Sequence, residues 1–182
     1  MASSHGWERN ISRAPGEDLL PIRGHLLRLD REALYSRFGN VVTNEFLIQY
    51  IERAPELDTI IFGCWVNGKV RGIGELRRFA LGQGNDAEAA FTVESAFRDL
   101  GIGTALTAAV ANEAWRIDVR DVYLCFGVRN QRMRRIAQKF HAAVSFDERD
   151  CTARLSIKDE RARETRSLAW LAKSILPLER SA

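Results

Sequence analysis

Apolar positions along this chain alternate between a helical repeat near 3.6 residues and short continuous runs typical of buried strands, and their order lays out the domain. Phe46, Leu47, Tyr50 and Ile51 share one helical face between Thr43 and Arg53, and Ala54-Pro55 ends that helix. Thr59-Ile60-Ile61-Phe62-Gly63-Cys64-Trp65-Val66 is an extended apolar run; Asn67-Gly68 follows, and Lys69 to Phe79 returns. Asn-Gly suits a two-residue type I′ turn, so the two runs predict a β-hairpin. A strand over Glu88 to Glu94 precedes a long helix that carries Leu106, Ala109, Val110, Ala114 and Ile117. Val122 to Val128 reads as a buried strand, and Asn130 opens a helix with the stripe Met133, Ile136, Ala137 and Phe140. Short strands over Ala143–Phe146 and Ala153–Ile157 close the pattern.

The flanks read differently. Residues 1–17 are rich in Ser, Gly and Pro and are expected as a flexible arm, docked in part through Trp7. The domain proper is expected over 18–157, beginning with Leu20-Pro21-Ile22-Arg23 as a first edge strand and a helix over Arg31–Phe38 capped by Asp30. Leu81 to Ala87 is a glycine-containing loop. From Lys158 the chain becomes charged, and Leu168, Trp170, Leu171 and Ile175 predict a final amphipathic helix in an extension over 158–182. Trp65, Trp115 and Phe62 are expected in the core.

Composition narrows the function classes. With 182 residues, 46% of them hydrophobic, the chain buries one full core as a single domain. Its 27 basic and 24 acidic side chains leave a net charge of +3, too mild to argue for nucleic acid. Cys64, Cys125 and Cys151 form no C-x-x-C pair and are odd in number, so neither a zinc site nor a disulfide framework is predicted. They read as small buried strand residues, and the cytoplasm is the expected compartment. No run is long and apolar enough for a signal peptide or a membrane span.

The segment Arg98-Asp99-Leu100-Gly101-Ile102-Gly103-Thr104 joins the strand Glu88–Glu94 to the long helix. Glycines without Cβ let the backbone approach a ligand closely, and the helix behind them aims free N–H groups and its positive dipole end at the turn. That chemistry suits an anion. A dinucleotide-binding turn would want a third Gly or Ala where Leu106 stands, and a Walker loop would want Gly-Lys-Ser/Thr; neither is present.

Arg98-x-x-Gly101-x-Gly103, following a strand that reads Ala87-Glu88-Ala89-Ala90-Phe91, resembles the acyl-CoA binding segment of the GNAT acetyltransferase superfamily. The element order and the Asn130-x-x-Met133-x-x-Ile136 segment extend the resemblance over roughly Leu19 to Ile157, and the Ala-Glu strand is similar to that of bacterial protein-lysine acetyltransferases. The resemblance implies an α/β (α+β) fold: a mixed, mostly antiparallel sheet of six to seven strands flanked by helices, with splayed fourth and fifth strands. It implies acetyl-CoA as cofactor, with the pantetheine arm along the backbone of Phe91, Thr92 and Val93. The diphosphate would rest on the N–H groups of Arg98, Asp99, Leu100, Gly101, Ile102, Gly103 and Thr104, with Arg98 adding charge. Asn130 would face the cofactor arm, and equally reads as a helix N-cap.

Acetyl transfer needs a neutral amine, and a lysine amine with a pKa of about 10.4 arrives protonated. Glu88 matches the family position of the general base; Glu94 and Glu75 are weaker candidates, Glu75 because it can pair with Arg77. The family's general-acid tyrosine would fall at Ala137, and the Gly-Phe that ends its helix is replaced by His141-Ala142. Arg129, Arg132, Arg134, Arg135 and Lys139 form a basic run, read as a solvated face or as one or two arginines reaching the cofactor phosphate. The expected reaction is acetylation of a primary amine, first a protein lysine, with a small-molecule amine and a weakly catalytic acyl-CoA-binding regulator as alternatives. A homodimer is an allowed assembly.

Overall fold

The protein is seen in a computed structural model that describes residues 9–14, 18–79 and 85–159. In chain order the elements are β1 (Arg9–Arg13), α1 (Leu20–Leu26), α2 (Arg31–Phe38), α3 (Asn44–Glu52), β2 (Thr59–Val66), β3 (Lys69–Arg78), β4 (Ala87–Val93), a 3₁₀ turn (Ser95–Phe97), α4 (Ile102–Arg116), β5 (Asp121–Gly127), α5 (Gln131–Lys139), β6 (Ala143–Asp147) and β7 (Asp150–Ser156). The strands form one seven-stranded sheet in the order β1-β2-β3-β4-β5-β7-β6. Every neighbouring pair is antiparallel except β4 and β5, which run parallel and pair only at Ala87 with Val122 and Glu88 with Tyr123. Beyond Glu88 these two strands diverge. The expected GNAT-type sheet with a splayed central pair is therefore present.

Local chemistry accounts for the elements. Asn67 and Gly68 both take positive φ, 50° and 73°, as a type I′ turn requires, and this closes the β2–β3 hairpin. Asp30 caps α2 by accepting from the Ala33 amide at 2.7 Å, and Thr43 caps α3 by accepting from the Phe46 amide at 3.2 Å. The apolar run of β2 lacks polar alternation because both faces of the sheet are covered. Ile61 packs with Ile22, Leu26 and Ile51 under α1 and α3, whereas Ile60, Phe62 and Cys64 pack with Leu106 and Val110 of α4.

Four expectations are corrected. Leu20–Arg23 is the start of α1 and not an edge strand: Pro21 fits the first turn of a helix, Asp18 accepts from the Leu20 amide, and Ile22, His25 and Leu26 form the buried stripe. The segment read as an arm contributes β1 from Arg9, which pairs with β2 and so completes that edge of the sheet. Trp115 is 58% exposed, because it falls one residue past Ala114 and rotates off the buried face of α4. The cysteines were expected to be buried; Cys64 and Cys151 are, whereas Cys125 is exposed on β5, and none of the three is in a disulfide. The amphipathic helix expected near Leu168 lies outside the described residues. Among the described residues no helix is long and apolar enough to cross a membrane.

Candidate active site at the splay of β4 and β5

Divergence of two strands inside a sheet leaves backbone groups in need of partners, because buried N–H and C=O groups are nearly always paired. The β5-facing edge of β4 from Ala89 to Val93 carries no ladder partner. A cavity of about 1640 Å³ opens there, larger than the ~300–1,000 Å³ usual for one small ligand. Its walls bring together Phe91, Thr92, Val93, Arg98, Asp99, Gly101, Ile102, Gly103, Thr104 and Asn130. Leu100 and Glu88 are not among its lining residues. Glu88 instead stands at the apex of the splay, half-buried at the last paired position, with Arg77 across on β3 and Tyr123 across on β5.

The turn ahead of α4 is built as a cradle. Asp99 and Gly101 take left-handed backbone with φ of 61° and 75°, and no side chain caps α4, so its first-turn amides stay available. Space around Gly101 is open. Unpaired amides and the helix dipole together favour an anion. The Arg98 side chain serves the scaffold: it is 16% exposed, donates to the Val93 carbonyl at 3.3 Å and pairs with Asp30 at 3.3 Å, tying the cradle to α2. Exposed positive charge comes from α5, where Arg132 and Arg135 line the cavity and both reach Asp99. Asn130 caps α5 by accepting from the Met133 amide at 3.1 Å, and its amide donates to Ser36 Oγ at 3.2 Å, which links α5 to α2 across the cavity.

Two polar networks brace β3 and β4. Glu75, 3% exposed, accepts from the Tyr50 hydroxyl and from Arg37 Nη2 at 3.2 Å. Burial alone would lower the Arg37 pKa, but Glu75, Tyr50 and Glu88 more than reverse it. Burial, with Glu75 beside it, pushes the Tyr50 phenol well above its ordinary value. Glu75 is thus committed to α2 and α3, and Arg77 turns to Thr59 and Tyr50. At the far end of β4, fully buried His25 bridges Thr92 Oγ1 at 2.9 Å and Glu94 Oε1 at 3.3 Å. Burial opposes ionisation of Glu94, and hydrogen bonds from His25, Arg71 and Arg28 override it, holding the carboxyl at about 2. Glu94 is an ionised anchor, unsuited to accept a proton near neutrality.

Ala137 is fully buried in the core beside Phe140 and does not line the cavity, whose apolar lining from α5 is Met133 and Ile136. His141 is exposed beyond the helix, with φ of 55°. Sequence reasoning missed His25 and the Tyr50–Glu75–Arg37 network. Tyr50 carried only a core signal, and His25 lies just past Leu20–Arg23, which was read as a strand, so its place on a helix face was not seen. The pair Arg132 and Arg135 was visible as an i, i+3 spacing within the basic run. The residues present fit an acyl-CoA: an unpartnered strand edge for an amide-bearing arm, uncapped amides for a diphosphate, and cations beside them.

Comparison with known proteins agrees. A sequence model of the acetyltransferase (GNAT) family matches residues 26–142. No curated protein matches the chain. Among solved structures, the GNAT domain of PAT from S. lividans superposes with a TM-score of 0.69 at 15% identity, covering 86% of this chain and 99% of that one. A ribosomal-protein-alanine N-acetyltransferase from Brucella melitensis gives 0.63 at 17%, covering 80% and 97%. The PaiA N-acetyltransferase from Thermoplasma acidophilum in complex with coenzyme A gives 0.60 at 17%, covering 82% and 99%.

Proposed function

This chain belongs to the GNAT acetyltransferase family, and on that premise we propose that it transfers an acetyl group from acetyl-CoA to a primary amine, first of all the side chain of a protein lysine. The observation that carries the reading is the splay of β4 and β5 beside the uncapped N-terminus of α4. The thioester supplies the activated acetyl group. The free edge of β4 at Phe91, Thr92 and Val93 orients the amide-bearing arm, and the amides of Gly101, Ile102, Gly103 and Thr104 hold the diphosphate; of the wider set expected from the sequence, the Arg98 amide is taken by the Ser95 carbonyl and Leu100 does not line the cavity.

Glu88 at the apex takes the proton that the amine must lose before it can attack the carbonyl. Its rivals are otherwise engaged, Glu75 by Tyr50 and Arg37 and Glu94 by His25, Arg28 and Arg71. Tyr123, in register with Glu88 on β5 and packed against Phe79, is the neighbouring hydroxyl and the first to replace in seeking the group that protonates the departing thiolate. Exposed Tyr35 and Val41 line the cavity and give it a broad mouth, which favours an acceptor presented on a protein surface.

The test is Glu88→Gln assayed with acetyl-CoA against a protein panel and an amine panel. Turnover at pH 7 should fall by about a hundredfold to ten-thousandfold with CoA affinity kept, and the deficit should shrink at high pH, where more amine is already neutral. Unchanged turnover would remove Glu88 from the role. Turnover only with small amines would replace the protein acceptor.

A further inference from the structure

Asp99 is an odd residue to find in a cradle for phosphates. Its carboxylate projects from the turn whose amides face the cavity, and its side chain is 61% exposed. Two guanidiniums from α5 close on it: Arg132 Nη2 lies 3.2 Å from Oδ2, and Arg135 Nη2 lies 3.8 Å from Oδ1. Both arginines line the same cavity, and they stand three positions apart, on one side of the helix. Arg98, the basic residue of the cradle itself, is held away by Asp30 and the Val93 carbonyl.

Resting on the acyl-CoA reading above, we infer that Asp99 is an internal stand-in for cofactor phosphate: it holds Arg132 and Arg135 at the cavity wall in the free protein and yields them to the phosphates on binding. The physical basis is charge exchange. Arginine forks suit phosphate better than a single carboxylate at these distances, and half-exposed pairs of this kind are weak enough to swap partners. The same carboxylate then repels the bound diphosphate. Asp99 therefore sets cofactor affinity below the value the arginines alone would give, and it keeps them from drifting into solvent or onto other acids.

The experiment is calorimetric titration of the full chain with CoA, dephospho-CoA and pantetheine. Asp99→Asn suits it because Asn accepts the left-handed backbone observed there, so the turn survives. At low salt this variant should bind CoA about two- to tenfold more tightly, with the gain fading near 1 M salt as the Debye length shrinks to about 3 Å. Arg132→Gln and Arg135→Gln should each weaken CoA by about tenfold and leave pantetheine, which lacks the diphosphate, unchanged. Dephospho-CoA assigns each arginine to the diphosphate or to the terminal phosphate. In the Arg132→Gln/Arg135→Gln background, Asp99→Asn should give less than half of its gain in free energy.

Weaker or unaltered CoA binding by Asp99→Asn would overturn the stand-in while leaving the cofactor reading intact. A gain of the same size in both backgrounds would reduce Asp99 to bare repulsion and also overturn it. Failure of the unmodified chain to bind CoA would overturn both.

Discussion

Gly103 separates the binding role of the cradle from its structural role. A methyl added there would come 3.0 Å from Ile136 Cδ1, the tip of a flexible side chain, and both residues line the cavity. In stability the opposing effects nearly cancel: Gly→Ala within a helix gains about 0.5–1 kcal/mol, and moving Ile136 off its rotamer costs about 0.5–1.5 kcal/mol. Gly103→Ala should therefore unfold in urea within about 1 kcal/mol of the parent. Binding has no such compensation. One lost hydrogen bond to a charged phosphate is worth about 1.5–3 kcal/mol, so CoA affinity by calorimetry should fall about tenfold to a hundredfold, and pantetheine should be spared. Gly101→Ala is the contrast: with φ of 75° and open space around it, the penalty is backbone strain of about 1–2 kcal/mol, seen in unfolding. CoA affinity of Gly103→Ala within twofold of the parent, at unchanged stability, would refute the placement of phosphate on the first turn of α4.

Arg37→Met should destabilise by about 3–5 kcal/mol because it strands the buried Glu75 carboxylate, and adding Glu75→Gln should recover more than half of that in the same urea unfolding measurement. The anchor at Glu94 should show in acid. Its folded pKa of about 2 lies below the ordinary 4.5, so its stabilisation is present above 4.5 and is lost as pH falls from there toward 2. Burial also lowers the His25 pKa, so this residue loses stability in the same direction, beginning as the unfolded imidazole takes a proton near 6.5. Urea midpoints taken at pH 7, 5 and 3 should fall progressively, and Glu94→Gln should flatten the segment between 5 and 3; an equal slope in this variant would discard Glu94 as the titrating group.

Much of the architecture was legible in the chain. Asn67-Gly68 specified a hairpin through backbone conformations that few other pairs adopt, the caps Asp30, Thr43 and Asn130 marked helix starts, and Gly101 with Gly103 marked the cradle. These are local signals, fixed by sterics and hydrogen bonds within a few residues. Leu20–Arg23 misled because four mostly apolar residues carry no period, and only packing of Ile22 and Leu26 against Ile73 under α1 decided in favour of helix. Trp115 misled because apolar content alone says nothing of which way a residue faces at a helix end.

The sequence by itself determined the β2–β3 hairpin, the starts of α2, α3 and α5 and the two-glycine turn before α4, each of which follows from neighbours along the chain. Tertiary structure alone decided which charges are free to act. Glu75, Glu88 and Glu94 look alike as strand glutamates, yet residues far away in sequence, Arg37 and Tyr50 for the first and His25 and Arg28 for the last, bind two of them and leave Glu88 at the apex. Arg98 and Arg132 likewise exchange the roles that their positions in the chain imply, since Asp30 claims the first and Asp99 holds the second at the cavity. The reason is that electrostatic partnership depends on distance in space and on burial, and neither is written in the spacing of residues along a strand or helix.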